Sequence, residues 1–205
     1  MKSQIRNAFE SLNHLLFSPL LVLFWLTTEK TTILADVQRW VDVFEWKHSP
    51  VGHLLKLLAR QPEFRNLYYH RIFRGSAIAR FLMYLLQVIY KPFPMLFIDT
   101  SSNIGAGLFI QHGFSTIIMA DMGENCWINQ QVSIGYKDKS GRPKIGDNVR
   151  ITAGAKVLGN ITIGDNCVIG ANAVVVKNVP GNCVVVGIPA YIIQRDGVKV
   201  REELV

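Results

Sequence analysis

The sequence predicts an α+β chain in two parts, a helical bundle followed by a triangular β-coil, on three observations. An aliphatic residue returns at every sixth position from Ile98 onward, the composition changes sharply near Phe97, and the residues before that change show helical spacing. Steps of six give Ile98, Ile104, Ile110, Thr116, Met122, Ile128 and Ile134, with Thr116 the one polar member, and then Ile145, Ile151, Val157, Ile163, Ile169 and Val175. That period fits neither a helix nor a simple strand alternation, and fixed-period self-similarity marks a solenoid. Each hexapeptide lays down one flat face with its aliphatic residue inward, three faces close a turn, and stacked turns pair every backbone edge with the next. Gly105, Gly135, Gly146, Gly164 and Gly170 follow an anchor, where a corner calls for positive φ and close backbone approach. Small or modest residues fall five along, as at Val132, Ala155, Cys167 and Ala173.

The helical part is expected over residues 1–97. Residues 2–13 read as a charged amphipathic helix start, followed by an apolar run from Leu15 to Leu26 that Pro19 interrupts. The run is shorter than the roughly 20 residues that span a bilayer, and Glu10 before it and the lack of a clean cleavage site after it argue against a signal peptide. Two readings remain, a helix buried at a subunit contact, which is preferred, and a segment resting on a membrane. Ile33, Val37, Trp40, Val41 and Phe44 share one face of a helix over 31–47, and Leu54 to Leu58 belong to another. Pro62 suits the first turn of a further helix that Gly75 ends, and Ala77 to Tyr90 form one more before Pro92 and Pro94.

Charge follows the same division. The net charge is +7, and residues 1–97 hold twelve Lys and Arg against six Asp and Glu, whereas the remainder holds ten against nine. No nucleic-acid motif accompanies the surplus, so anionic lipid or a phosphorylated substrate is the more economical partner. Cys126, Cys167 and Cys183 lack metal-ligand spacing; two of them occupy the fifth place of a hexapeptide, as small buried side chains would, and a reducing cytoplasm is the expected compartment. No metal is expected.

Ile134 and Ile145 are eleven apart, so a polar loop from Gly135 to Lys144 leaves the coil at one corner, carrying Lys137, Lys139, Arg142 and Lys144 for an anionic ligand. The coil is expected to end near Ile192, leaving 193–205 as a charged, loosely ordered tail.

The hexapeptide run, with Ala153-Gly154-Ala155-Lys156-Val157-Leu158-Gly159-Asn160-Ile161 and the later Val186-Gly187-Ile188-Pro189-Ala190, resembles the left-handed parallel β-helix acyltransferases, in particular serine acetyltransferase and its polysaccharide O-acetylating relatives. The resemblance covers about Ile98 to Ile192 closely, setting the coil domain at 98–192. It implies homotrimers, acetyl-CoA in the groove between neighbouring coils, and a histidine as general base. His112 is the one histidine of the coil and lies in Gly107-Leu108-Phe109-Ile110-Gln111-His112-Gly113, which matches the catalytic stretch. Imidazole takes a hydroxyl proton near neutrality, and backbone N–H groups can stabilise the oxyanion formed at the thioester.

Carried over by position, Ala153 and Ala171 lie against the pantetheine and Gly135 stands beside the thioester, with Tyr136 in place of a second glycine. Lys177, Lys137, Lys139 and Arg142 are candidates for the CoA phosphates. Three positions depart from serine acetyltransferase: Gln111 replaces an aspartate before the histidine, Arg142 replaces a histidine before Pro-Lys-Ile, and Phe97 stands where an aspartate orients the imidazole, leaving Asp99 as candidate orienter. These departures favour a saccharide acceptor, bound for capsule, exopolysaccharide or O-antigen. Serine O-acetylation in cysteine biosynthesis is the alternative, and a non-catalytic trimeric scaffold the reading from another class. The helical part could extend the trimer to a larger assembly or touch the inner face of a membrane.

Overall fold

The computed structural model describes residues 12–46 and 50–204, which form two compact units meeting between Phe93 and Pro94. The division precedes the composition change because Leu96 and Phe97 already belong to the first strand of the coil. The helix start expected over 2–13 falls almost wholly outside the described residues, as do Lys47 to Ser49.

In the first unit, residues 12–17 are helical and Pro19 separates them from α1 (Leu20–Leu26). Next come α2 (Lys30–Val43), α3 (Pro50–Arg60), α4 (Pro62–Arg74) and α5 (Ala77–Leu86). The periodic face of α2 turns inward with Ile33, Val37, Trp40 and Val41 buried, and the Trp40 ring meets Phe64 of α4 edge-on at 5.3 Å. Pro62 sits in the first turn of α4, whose C-cap is Gly75. Ser76 caps α5 by accepting the Ala79 N–H, and α5 stops at Leu86, where the expected helix to Tyr90 gives way to turns. Inside this bundle Arg71 forks onto Asp36, with Nε to Oδ2 at 2.8 Å and Nη2 to Oδ1 at 3.2 Å. Among the described residues no helix is long and apolar enough to cross a membrane.

The second unit is a parallel β-helix with three faces. The first carries β1 (Leu96–Ile98), β3 (Thr116–Ile118), β6 (Ser133–Gly135), β9 (Lys156–Leu158) and β12 (Val174–Val175). The second carries β4 (Asp121–Met122), β7 (Lys144–Ile145) and β10 (Thr162–Ile163). The third begins with β2 (Phe109–Ile110), β5 (Trp127–Ile128), β8 (Arg150–Ile151), β11 (Val168–Ile169) and β13 (Cys183–Val186). Neighbours pair in parallel with anchor on anchor, as Ile110, Ile128, Ile151 and Ile169 do, except that Ile118 and not the expected Thr116 stands opposite Ile98 and Ile134, the corner after Ile110 being two residues longer. Every anchor is buried except Ile98, which is half-buried.

Two expectations change. The glycines after the anchors do not take positive φ; that conformation falls three residues before the anchor, at Asn125, Asn148, Asn166 and Asn172, whose short polar side chains tolerate it. Gly146 answers to close approach instead, since a Cβ there would lie 2.1 Å from Asp165 Oδ1. Nor is the C-terminal stretch loose. Strands β14 (Tyr191–Arg195) and β15 (Val198–Glu203) add antiparallel to β13 around a two-residue turn with positive φ at both Asp196 and Gly197, and Ile192 and Leu204 are buried.

Candidate active site

Three faces make three corners, and the candidate residues divide between two of them. At the corner leading from the third face to the first, Gln130, Ala153 and Ala171 stack in one column two residues beyond Ile128, Ile151 and Ile169. In the first coil, whose corner is two residues longer, Phe114 takes the equivalent place, its carbonyl accepting the Gln131 N–H at 3.0 Å, and His112 lies two residues before it. The Gly154 N–H donates to the Gln130 carbonyl at 3.0 Å and the Asn172 N–H to the Ala153 carbonyl at 2.9 Å, so the column is held by backbone bonds. Coils lie roughly 4.8 Å apart, which makes the column of Gln130, Ala153 and Ala171 roughly 10 Å long. Small side chains at Ala153 and Ala171 leave room along it for a thin flexible arm, as pantetheine is.

His112 is exposed, with φ at 53°, and its carbonyl accepts the Phe114 N–H at 2.7 Å. A non-glycine residue in the left-handed region is uncommon, and here it swings the imidazole out of the strand plane. Gln111 points along the face instead: its Oε1 accepts from Trp127 Nε1 at 3.2 Å and from Asn129 Nδ2 at 3.0 Å. The Trp127 ring in turn carries the Arg150 guanidinium at 4.6 Å. One coil along from His112, Asn129 Oδ1 and Gln130 Oε1 are buried without a hydrogen-bond partner. Sequence reasoning passed over both amides, because only the coil geometry sets them at the histidine's corner.

At the corner from the first face to the second lie Asp99, Gly135, Tyr136, Lys137, Lys139, Arg142 and Lys177. Arg142 is not a free cation of the loop. Its Nη1 donates to Asp99 Oδ2 at 3.3 Å and to Ser101 Oγ at 2.8 Å, and its Nη2 donates to Asp121 Oδ1 at 2.7 Å and to the Ser101 carbonyl at 2.9 Å. Partial burial alone would raise the Asp121 carboxyl; the Asn103 N–H and the Arg142 guanidinium, with Lys144 adding to them, outweigh it and hold the group below the usual carboxylate range. Asp99, expected to orient His112, bonds to Ser101 and Arg142, because β1 delivers it to a different corner of the same chain. Lys177 Nζ donates to the Leu204 carbonyl at 2.9 Å, which ties it to the C-terminal hairpin. Tyr136, Lys137 and Lys139 stand exposed, and the Lys137 stem lies over Gly159.

A cavity of about 430 Å³ opens at the far end of the coil, lined by Thr162, Asn178, Arg195 and Leu204 among others, and it contains none of the candidate residues. Among the described residues no cluster of His, Cys, Asp and Glu could hold a metal.

The chain is thus a hexapeptide β-helix with one histidine in its coil, the architecture of the group-transfer family whose model it matches. Residues 142–177 match the family described as bacterial transferase hexapeptide (six repeats). The serine acetyltransferase of Synechococcus elongatus is 40% identical over 157 residues, 71% of this chain, and the chain spans 63% of that relative's length, under two thirds. Neisseria gonorrhoeae serine acetyltransferase, solved in complex with serine, superposes with a TM-score of 0.61 at 30% identity over 80% of this chain and 69% of that one. A serine acetyltransferase solved with CoA superposes with a TM-score of 0.61 at 26% identity over 80% of this chain and 68% of that one. The chain belongs to the hexapeptide-repeat acyltransferases and resembles serine acetyltransferase.

These relatives overturn the saccharide acceptor. That expectation rested on Gln111 and Arg142 standing where serine acetyltransferase has an aspartate and a histidine that hold the amino acid, and the relatives that carry the likeness are serine acetyltransferases, one of them solved with serine.

Proposed function

We propose that this chain transfers the acetyl group of acetyl-CoA to the hydroxyl of serine, with His112 as general base. The observation that carries the reading is the corner between the third and first faces, where the exposed His112 of the first coil shares the corner with a column of one orphaned amide acceptor and two alanines, in a chain similar to serine acetyltransferases. The imidazole of His112 takes the seryl hydroxyl proton while the oxygen bonds to the acetyl carbon, and returns that proton to the departing thiolate sulfur, so O-acetylserine and CoA leave with atoms and charge balanced. Asn129 and Gln130 would accept from the serine ammonium, and the pantetheine would lie along Ala153 and Ala171 with Gly135 of a neighbouring coil near the thioester. Exposed Lys137 and Lys139 suit the CoA phosphates better than Arg142 or Lys177, which are engaged within the chain.

A homotrimer supports this chemistry. Within one chain His112 and the cationic loop occupy different corners, whereas a groove between two protomers would be lined by one corner of each. All three cysteines are buried, which suits a reducing cytoplasm.

The test is thiol release from acetyl-CoA with L-serine. Turnover is expected, falling by about 10²- to 10⁴-fold in His112→Ala. Binding of acetyl-CoA without turnover on serine would overturn the acceptor.

A further inference from the structure

The largest unexplained feature of the first unit is apolar. Helix α5 and the turn after it expose Ile78, Phe81, Tyr84, Leu85, Val88 and Ile89, with Phe81 at 64%, Val88 at 73% and Ile89 at 74%. At the helical repeat the four exposed α5 residues share one face, while Ala79 and Met83 point into the bundle. Its one charged residue, Arg80, lies instead over the Phe73 ring at 5.0 Å. Helix α1 runs antiparallel beside α5: Ser76 Oγ donates to the Leu26 carbonyl at one end, and Tyr90 OH donates to the Leu16 carbonyl at the other, each at 2.7 Å. That neighbour exposes Val22, Leu26 and Trp25, the last at 63%, and Leu15 and Leu16 extend the surface past Pro19. A contiguous surface of this extent marks a docking site.

Charge decides what docks. With Arg80 turned onto Phe73, residues 15–31 and 74–91 leave Lys30, Arg74 and Lys91 against Glu29 alone around the exposed face. Lys30 and Arg74 stand at one end of the helix pair, Lys30 over the Trp25 ring at 5.9 Å, and Lys91 follows Tyr90 at the other end. Two copies laid face to face on this surface would set cation against cation in either direction of pairing. A sheet of anionic headgroups over an apolar interior matches both features, with Trp25 and Tyr84 suited to the boundary between them. Neither helix is long enough to cross a bilayer, so the pair would lie along it.

We propose that α1 and α5 form a surface that docks on a bilayer containing anionic phospholipid, carrying the coil as a peripheral enzyme. The proposal is independent of which acceptor the coil uses.

Flotation of the full-length protein with vesicles tests it, comparing phosphatidylcholine alone with phosphatidylcholine mixed with phosphatidylglycerol. The protein is expected to float with the anionic vesicles and to be released by salt. Phe81→Glu combined with Val88→Glu should cut the floating fraction by about tenfold or more while leaving thiol release and circular dichroism unchanged. Lys30→Glu with Lys91→Glu should weaken binding to the anionic vesicles alone. Failure to float with anionic vesicles, or flotation unaffected by the paired glutamates, overturns the proposal. A fall in mass by light scattering in the glutamate variant, without vesicle binding by the parent, overturns it in favour of a second copy.

Discussion

Asp36 and Arg71 are each almost fully enclosed, and their fork is the one ion pair between charged side chains at such depth among the described pairs. Removing one partner leaves a desolvated charge, so Asp36→Ala is expected to lower stability by about 3–5 kcal/mol, read from urea midpoints at constant slope. Gly154 raises a different constraint. Its φ of 75° disfavours a side chain, and a Cβ would lie 2.0 Å from Asn172 Oδ1, at the histidine's corner itself. Gly154→Ala should therefore cost about 1–3 kcal/mol and raise the KM for acetyl-CoA more than that for serine. His112 stood out in the sequence as the candidate base because it is the coil's lone histidine. Asn129 and Gln130 were not, since an orphaned acceptor is a property of packing and leaves no mark in spacing.

The loop between β6 and β7 owes its shape to one side chain. Arg142 draws together Asp99, Ser101 and Asp121, which come from two successive coils, and so closes the loop's end back onto the corner it leaves. Because the folded Asp121 carboxyl titrates below its unfolded value, the clamp contributes fully above about pH 4 and is lost as the pH falls through the lower folded value. Protection over residues 136–142, measured against the intrinsic exchange rate at each pH, should hold at neutral pH and decline as the pH falls below about 4, and Arg142→Gln should show the lower protection already at neutral pH. The sequence marks the insertion by its broken period, but the four loop cations look equivalent there. Which one turns inward depends on carboxylates delivered from Asp99 and Asp121, far apart along the chain.

Across the whole molecule, the periodic core was the most legible part. Twelve of the thirteen expected anchors specify the faces, whereas Thr116 falls out of register: Ile118 stands opposite Ile98 and Ile134, because the corner after Ile110 carries two extra residues that a strict period of six does not show. With the inserted loop set aside, Gln130, Ala153 and Ala171 fall one coil apart and their stacking was implicit in the period, whereas the same count puts His112 in a place that Phe114 holds. The hairpin of β14 and β15 was missed because charged residues hid its alternation, although Asp196-Gly197 is a hairpin turn signal. Sedimentation should find a trimer, and mixing His112→Ala protomers with protomers carrying Lys137→Glu and Lys139→Glu should restore part of the lost turnover if each groove draws on two chains.

The same hairpin has a bearing on how the protein is kept apart from its own kind. A stack of parallel coils ends in a row of unsatisfied N–H and C=O groups, which is a template for another stack. Here the seven-stranded face ends instead on an antiparallel strand studded with Lys199, Arg201, Glu202 and Glu203, and its partner strand is fastened to it by the Arg195–Glu202 pair. The charged strand acts as a stopper against filament growth, and ending the chain after Arg195 should turn a dispersed protein into one that assembles end to end.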